Sequence, residues 1–216
     1  MKVKHPINFH KGLTFAIVLG LMVLYHNFTI GAWVYLSLHG TYGFLWLTKD
    51  RIFPDKQWEQ EIPTLMGIMT FLLLCLYWVA PFILISSGTI PPLPLVAAAI
   101  SLNILGVFLH FASDAQKYYT LKYKTGLITE GFFARCRNTN YLGEVLIYLA
   151  FAMLTQHWLP FLILGLFIAM IFVPNMLKKD KSLSRYPEFE EYQENSGLLF
   201  PKLFISGNRN KEEKTA

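Results

Sequence analysis

Residues 93–112 read LPLVAAAISLNILGVFLHFA, twenty residues without a Lys, Arg, Asp or Glu, with Asp114 and Lys117 following directly. A helix of roughly 20 mostly apolar residues crosses a hydrocarbon core about 30 Å thick, so this stretch decides the fold class as membrane-spanning helix. The pattern recurs on either side, at 12–26, 27–47, 63–86, 141–156 and 158–177, although the first stretch is short and the fifth carries Glu144 near its start. Composition agrees, because 54% of the 216 residues are hydrophobic and 15% are charged, against about 25% charged in an ordinary soluble domain. The sequence therefore predicts an all-α, polytopic transmembrane helix bundle of about six spans, forming a single membrane domain over 1–216.

Charge placement orients the bundle. With six crossings and a cytosolic start, all 19 Lys and Arg residues fall at 2–11, 49–56, 117–137 and 178–214, and the connections near 26–28, 87–92 and 157 carry none. The positive-inside rule then places both the amino and the carboxyl terminus in the cytosol. The 14 acids lie on the same side, so the orientation rests on Lys and Arg and not on net charge. Basic flanks of membrane spans account for the +5 balance without a nucleic-acid partner. The membrane is expected to be a bacterial inner membrane or the endoplasmic reticulum.

Residues 1–26 have the basic start and apolar run of a secretory signal, but His26, Asn27 and Phe28 stand where a small-residue cleavage site belongs, so a retained first span is expected. Cys75 lies within a span and Cys136 in a cytosolic connection, too far apart in the topology for a disulfide. Asn27-Phe28-Thr29 forms a glycosylation sequon in a hairpin too tight to leave the membrane surface. Ile90-Pro91-Pro92-Leu93-Pro94 marks an external hairpin, with proline at the first turn of the next helix. Between 178 and 204, Pro187 and the acids Glu188, Glu190 and Glu191 suit the start of a short helix stopped at Gly197. Residues 205–216 are expected to be disordered.

Polar residues group on helix faces. Asn103, His110, Asp114 and Lys117 follow at separations of seven, four and three, which places them on one face of the fourth span. Ionisable groups at membrane depth are expensive unless they face a partner or a water-filled cavity, so this stripe faces the bundle interior. With Tyr118 and Lys122, Asp114 and Lys117 can form a wall for an anion or a ribose. Tyr141, Glu144 and Tyr148 share a face of the fifth span, and a carboxylate at that depth needs a hydrogen-bonding or cationic partner, or it becomes neutral. In the second span His39, Tyr42, Gly43 and Trp46 lie on one face. His39 and Tyr42 are candidates to donate hydrogen bonds to a substrate, with Glu144 the third candidate catalytic group; Gly40 and Gly43 have a second reading as close helix packing. No metal-ligand spacing and no Gly-x-Gly-x-x-Gly motif after a strand occurs, which excludes a Rossmann domain.

The ordered motifs Gly126-Leu127-Ile128-Thr129-Glu130-Gly131-Phe132-Phe133, Asn140-Tyr141-Leu142-Gly143-Glu144, Arg185-Tyr186-Pro187 and Phe200-Pro201 resemble the carboxyl-terminal half of the steroid 5α-reductase family, over about residues 103–204. More distantly they are similar to sterol reductases and isoprenylcysteine carboxyl methyltransferases. The resemblance implies NADPH as cofactor, with Asp114, Asn140, Glu144 and Tyr186 contacting it and Lys122 and Arg137 near its phosphates; Lys117 and Tyr141 complete the candidate cofactor set. It also implies a hydrophobic lipid substrate, steroid-like or isoprenoid. Asn138-Thr139 stands where methyltransferases and many sterol reductases carry His-Pro, which leans toward the 5α-reductases, while a family arginine is replaced by Lys122 or lost. The alternatives are a membrane methyltransferase using S-adenosylmethionine and a non-catalytic scaffold.

Overall fold

A computed structural model describes residues 1–203. Among these residues the chain is helical and contains no strand. The helices are α1 (Lys4–Leu24), α2 (Ile30–Ile52), α3 (Thr64–Leu74), α4 (Val79–Ser86), α5 (Leu93–Tyr123), α6 (Thr139–Thr155), α7 (Trp158–Phe167), α8 (Val173–Leu183) and α9 (Phe189–Asn195). A 3-10 turn at Cys75–Trp78 joins α3 to α4, and a π turn at Ile168–Phe172 joins α7 to α8. Four helical stretches are long and apolar enough to cross a membrane: α1, Thr64–Ser86, α5 and Trp158–Leu183. The apolar α6 has 17 residues, and at 1.5 Å per residue it falls a few ångströms short of a core about 30 Å thick. Though 23 residues long, α2 carries His39, Tyr42, Lys49 and Asp50. The two helices that fall short of a plain apolar span are thus two that carry candidate site residues.

The first helix starts at Lys4, not near residue 12, which corrects the sequence boundary. Lys11, expected to flank the membrane, instead lies inside α1 and is buried. The helix extends toward the amino terminus because its leading residues are tied down. The Met1 amino group donates to the Ile62 carbonyl at 2.9 Å, and Lys2 and Lys4 both pair with Glu59. The hydrogen bond from Lys2 first, then that from Lys4, holds the Glu59 carboxyl down to about 2. Residues 205–216, expected to be disordered, lie outside the described residues.

Two helix crossings set the interior. Gly106 of α5 and Gly143 of α6 face each other so closely that a Cβ on Gly106 would stand 2.6 Å from the Gly143 carbonyl oxygen, and one on Gly143 would stand 2.5 Å from the His110 nitrogen. Small residues allow such backbone approach in membrane bundles. At the second crossing the Lys11 carbonyl of α1 occupies the space where a side chain on Gly43 of α2 would project, and Gly40 faces the Phe15 ring, so both glycines serve close packing. Large apolar side chains point outward, including Leu65 and Met69 of α3, Phe108 of α5 and Met170 in the π turn, as a lipid-facing surface requires.

Ion pairs gather the charged segments at one end of the bundle. Lys49 pairs with Asp114 at 2.7 Å, Lys117 with Asp55 at 2.6 Å and Arg137 with Asp180 at 3.1 Å. At the opposite end Asn27 is buried and its amide donates to the Ile85 carbonyl at 2.9 Å, so the sequon asparagine is part of the packing. Cys75 and Cys136 are free thiols, and the Cys136 thiol donates to the Leu199 carbonyl.

Candidate functional site

At the charged end a cavity of about 770 Å³ opens between the carboxyl-terminal end of α2, the connection that follows it, α5, the amino-terminal turn of α6 and α8. Six lysines line it, Lys49, Lys56, Lys117, Lys122, Lys178 and Lys179, against two aspartates, Asp55 and Asp114. Sites for small ligands and cofactors run from roughly 300 to 1,000 Å³. The surplus of ammonium groups makes the lining attractive to an anion carrying several charges.

The Gly106–Gly143 crossing builds the wall between α5 and α6. It brings the His110 ring to the Asn140 carbonyl, with Nδ1 at 3.0 Å, and so aligns the polar stripe of α5 with the start of α6. Asp114, one turn beyond His110, is 5% exposed and accepts from Lys49 through Oδ2, while its Oδ1 has no partner. An orphaned carboxylate oxygen at a cavity wall can accept a hydroxyl such as that of a ribose. Tyr141 lines the same cavity and packs on Phe172 with ring centroids 5.0 Å apart.

The structure brings Asp114, Lys117, Lys122, Asn140 and Tyr141 together around this cavity and leaves the other sequence candidates elsewhere. Arg137 is engaged as a staple: Nε bonds both Asp180 oxygens, Nη1 donates to the Ser196 carbonyl at 2.5 Å, and Lys179 donates to the Arg137 carbonyl at 2.6 Å. It lines an adjoining cavity of about 80 Å³ together with Lys117 and Lys179. Tyr186 is half-buried, accepts from Arg185 and is not part of the large cavity's lining. The segment carrying it is nonetheless fixed beside the site, because the Tyr192 hydroxyl donates to the Phe133 carbonyl at 2.8 Å and the Asn138 amide donates to the Leu198 carbonyl at 2.9 Å. Burial pushes the Tyr192 hydroxyl pKa up, so it remains a donor. The short helix holding Tyr192 starts at Phe189, two residues beyond Pro187.

His39, Tyr42 and Glu144 lie deeper. His39 is fully buried, with Nδ1 at 3.1 Å from the Tyr35 hydroxyl and its ring stacked on Phe151 at 4.2 Å. The Tyr42 hydroxyl is buried without a partner. Glu144 is half-buried and, among the described residues, makes no hydrogen bond or ion pair. The Trp46 indole separates the two regions: Lys49 lies 4.9 Å from its ring on the cavity side, Lys11 lies 5.2 Å from it on the inner side, and His110 stacks on it at 5.8 Å.

Sequence reasoning missed Lys49, Lys56, Lys178 and Lys179 as residues lining the cavity. The signal for Lys49 was present, since His39, Tyr42, Trp46 and Lys49 continue one α2 face at separations of three, four and three. Lys178 and Lys179 read as flanking charge because the last apolar stretch ends at 177, whereas its helix runs to Leu183.

A family model described as a protein of unknown function, DUF1295, matches residues 33–196. This chain belongs to the DUF1295 family. The match runs from α2 through α9 and so contains the whole lysine-lined cavity. DUF1295 lies in the steroid 5α-reductase-like membrane superfamily, in agreement with the resemblance carried by the motifs between 126 and 201. No curated protein and no solved structure matches the sequence.

Proposed function

We propose that this DUF1295 protein is a six-span membrane reductase, with both termini cytosolic, that uses NADPH to reduce a carbon–carbon double bond in a steroid-like or isoprenoid lipid. The observation that carries the reading is the cavity lining of six lysines against two aspartates. NADPH presents several phosphate charges, and lysine is a phosphate binder acting as a point charge. The methyl donor S-adenosylmethionine presents a sulfonium cation, which the same lining repels, so the cavity favours the reductase over the methyltransferase.

When bound, NADPH supplies a hydride. The chain's residues position and shield. Lys117 and Lys122 attract phosphate, Asp114 Oδ1 accepts a hydroxyl, and Asn140 and Tyr141 supply the polar edge of the floor. Tyr42 and His39 lie beyond Trp46, where a lipid carbonyl conjugated to the double bond would find donors in a site without bulk water. Fixed donors at a developing oxyanion are often the largest single contribution to such catalysis.

The test is loss of NADPH absorbance by detergent-purified protein supplied with a panel of steroid and isoprenoid lipids that carry a conjugated double bond. Lipid-dependent oxidation that disappears in Lys117→Met supports the reading. Methyl transfer from S-adenosylmethionine with no NADPH oxidation overturns it.

A further inference from the structure

The last apolar stretch, Trp158–Leu183, is 26 residues long, and at 1.5 Å per residue it measures about 39 Å. A hydrocarbon core about 30 Å thick takes up roughly 20 residues of helix, so the carboxyl-terminal turns extend beyond it. The exposed Trp158 indole suits the interface at the far side. Counted from there, roughly 20 residues end at Leu177. Leu177 is exposed, and Lys178 follows it directly. Lys178 and the residues after it therefore stand at the level of phospholipid headgroups.

Helical spacing places Pro174, Leu177, Lys178 and Lys181 on one face of α8, and Arg185 follows in the turn beyond Ser184. All five are exposed, whereas Met176 and Asp180 on the opposite side of the helix are buried. One outward stripe thus changes from apolar to cationic at the depth where acyl chain gives way to headgroup. Among the described residues none of the three cations makes an ion pair, while Lys4, Lys49 and Lys117 at the same end of the bundle all do. Arg185 directs one N–H to the Ser182 hydroxyl and one to that of Tyr186, which leaves three of its five donors. The exposed acids that follow, Glu188, Glu190 and Glu191, pair with none of the three. Lys178 also lines the large cavity, so the stripe runs along the cavity's lip.

We propose that the outer face of α8 is a binding site for an anionic phospholipid, with acyl chain against Pro174 and Leu177 and the phosphate and headgroup charge held by Lys178, Lys181 and Arg185. A phospholipid presents apolar chain and anionic head in the same order as this stripe, and both parts lie at matching depth. Arginine and lysine differ in what they give such a head: the Arg185 guanidinium offers a planar fork to phosphate oxygens, and the lysines offer point charges. Each cation that meets an anionic membrane surface favours it over a neutral one about fivefold. The site is separate from the cofactor reading of the cavity and stands whether or not that cavity takes NADPH.

The test reconstitutes Leu177→Trp into vesicles of phosphatidylglycerol and phosphatidylcholine, with bromine on the acyl chains of one lipid or the other. Bromine quenches an indole that it touches, and the emission of the wild-type protein in the same vesicles is subtracted. Brominated phosphatidylglycerol is expected to quench the new indole at a several-fold lower mole fraction than brominated phosphatidylcholine. Lys181→Gln combined with Arg185→Gln should remove most of that preference, and Lys181→Arg combined with Arg185→Lys should keep it. Salt at about 1 M, where the Debye length is about 3 Å, should weaken it. Phe108→Trp, on the lipid-facing side of α5, is the control and should be quenched equally by the two lipids. Thermal transitions check folding of each variant, and the charge-exchanged pair stays informative if the glutamine pair fails to fold. Equal quenching of Leu177→Trp by both lipids, or a preference unchanged in the glutamine pair or matched at Phe108→Trp, overturns the proposal.

Discussion

The pair Lys49–Asp114 ties α2 to α5 at the wall of the large cavity. Both side chains are almost fully buried at the floor of the cavity, 2.7 Å apart. Removing one partner leaves the other charge buried and uncompensated, which in buried pairs costs roughly 3–5 kcal/mol. Asp114→Asn is therefore expected to lower the thermal transition in detergent strongly. Lys49→Met combined with Asp114→Leu, which removes both charges, should recover much of the stability while losing stabilisation by NADPH. Equal losses in the single and double variants would show that the pair does not act as a unit. Arg137 has a different place in the energetics. It joins Asp180 and the Ser196 carbonyl, so Arg137→Lys should loosen the 178–200 segment, read as faster protease cleavage there, before it affects anything bound in the large cavity. Cleavage unchanged from wild type would contradict the staple role.

At the scale of elements, the α5–α6 crossing decides whether the site exists. Gly106→Ala or Gly143→Ala forces apart backbones that now meet within a Cβ's reach of each other. Overpacking of this kind costs typically about 1–3 kcal/mol, and it should also break the His110–Asn140 contact that aligns the cavity wall. Gly165→Ala, with no atom within 4 Å of the added carbon, is the control and should leave the transition unchanged. Much of this was legible in the sequence. The α5 stripe through Asn103, His110 and Asp114 turned inward as its spacing required, and His39, Tyr42 and Trp46 share the buried face of α2. What stayed hidden has physical causes. Lys11 read as a membrane flank because a basic residue at the edge of an apolar run usually is one, and burial inside α1 depended on Tyr148, 137 residues away. The staple at Arg137 depended on Asp180 and Ser196, partners that spacing along the chain does not reveal.

For the whole molecule, ion pairs draw residues 2–4, 49–59, 114–117, 137 and 180 to one end, the end that the proposed six-span topology would place in the cytosol. In a Cys75→Ser and Cys136→Ser background, a cysteine at Lys56 should react with a membrane-impermeant thiol reagent only in inside-out vesicles, and one at Thr89 only in right-side-out vesicles. Labelling of both from the same side would overturn the topology. The cavity sits at that charged end, and lysines outnumber aspartates three to one in its lining. The most direct measurement is a thermal-shift titration of the detergent-purified protein with NADPH and, separately, S-adenosylmethionine, since a ligand that binds only the folded state stabilises it by RT ln(1 + [L]/Kd). Stabilisation by NADPH, about 2.7 kcal/mol at a hundredfold excess over Kd, that is lost in Lys117→Met is the expected result. Stabilisation by S-adenosylmethionine alone, or by neither compound, would contradict it.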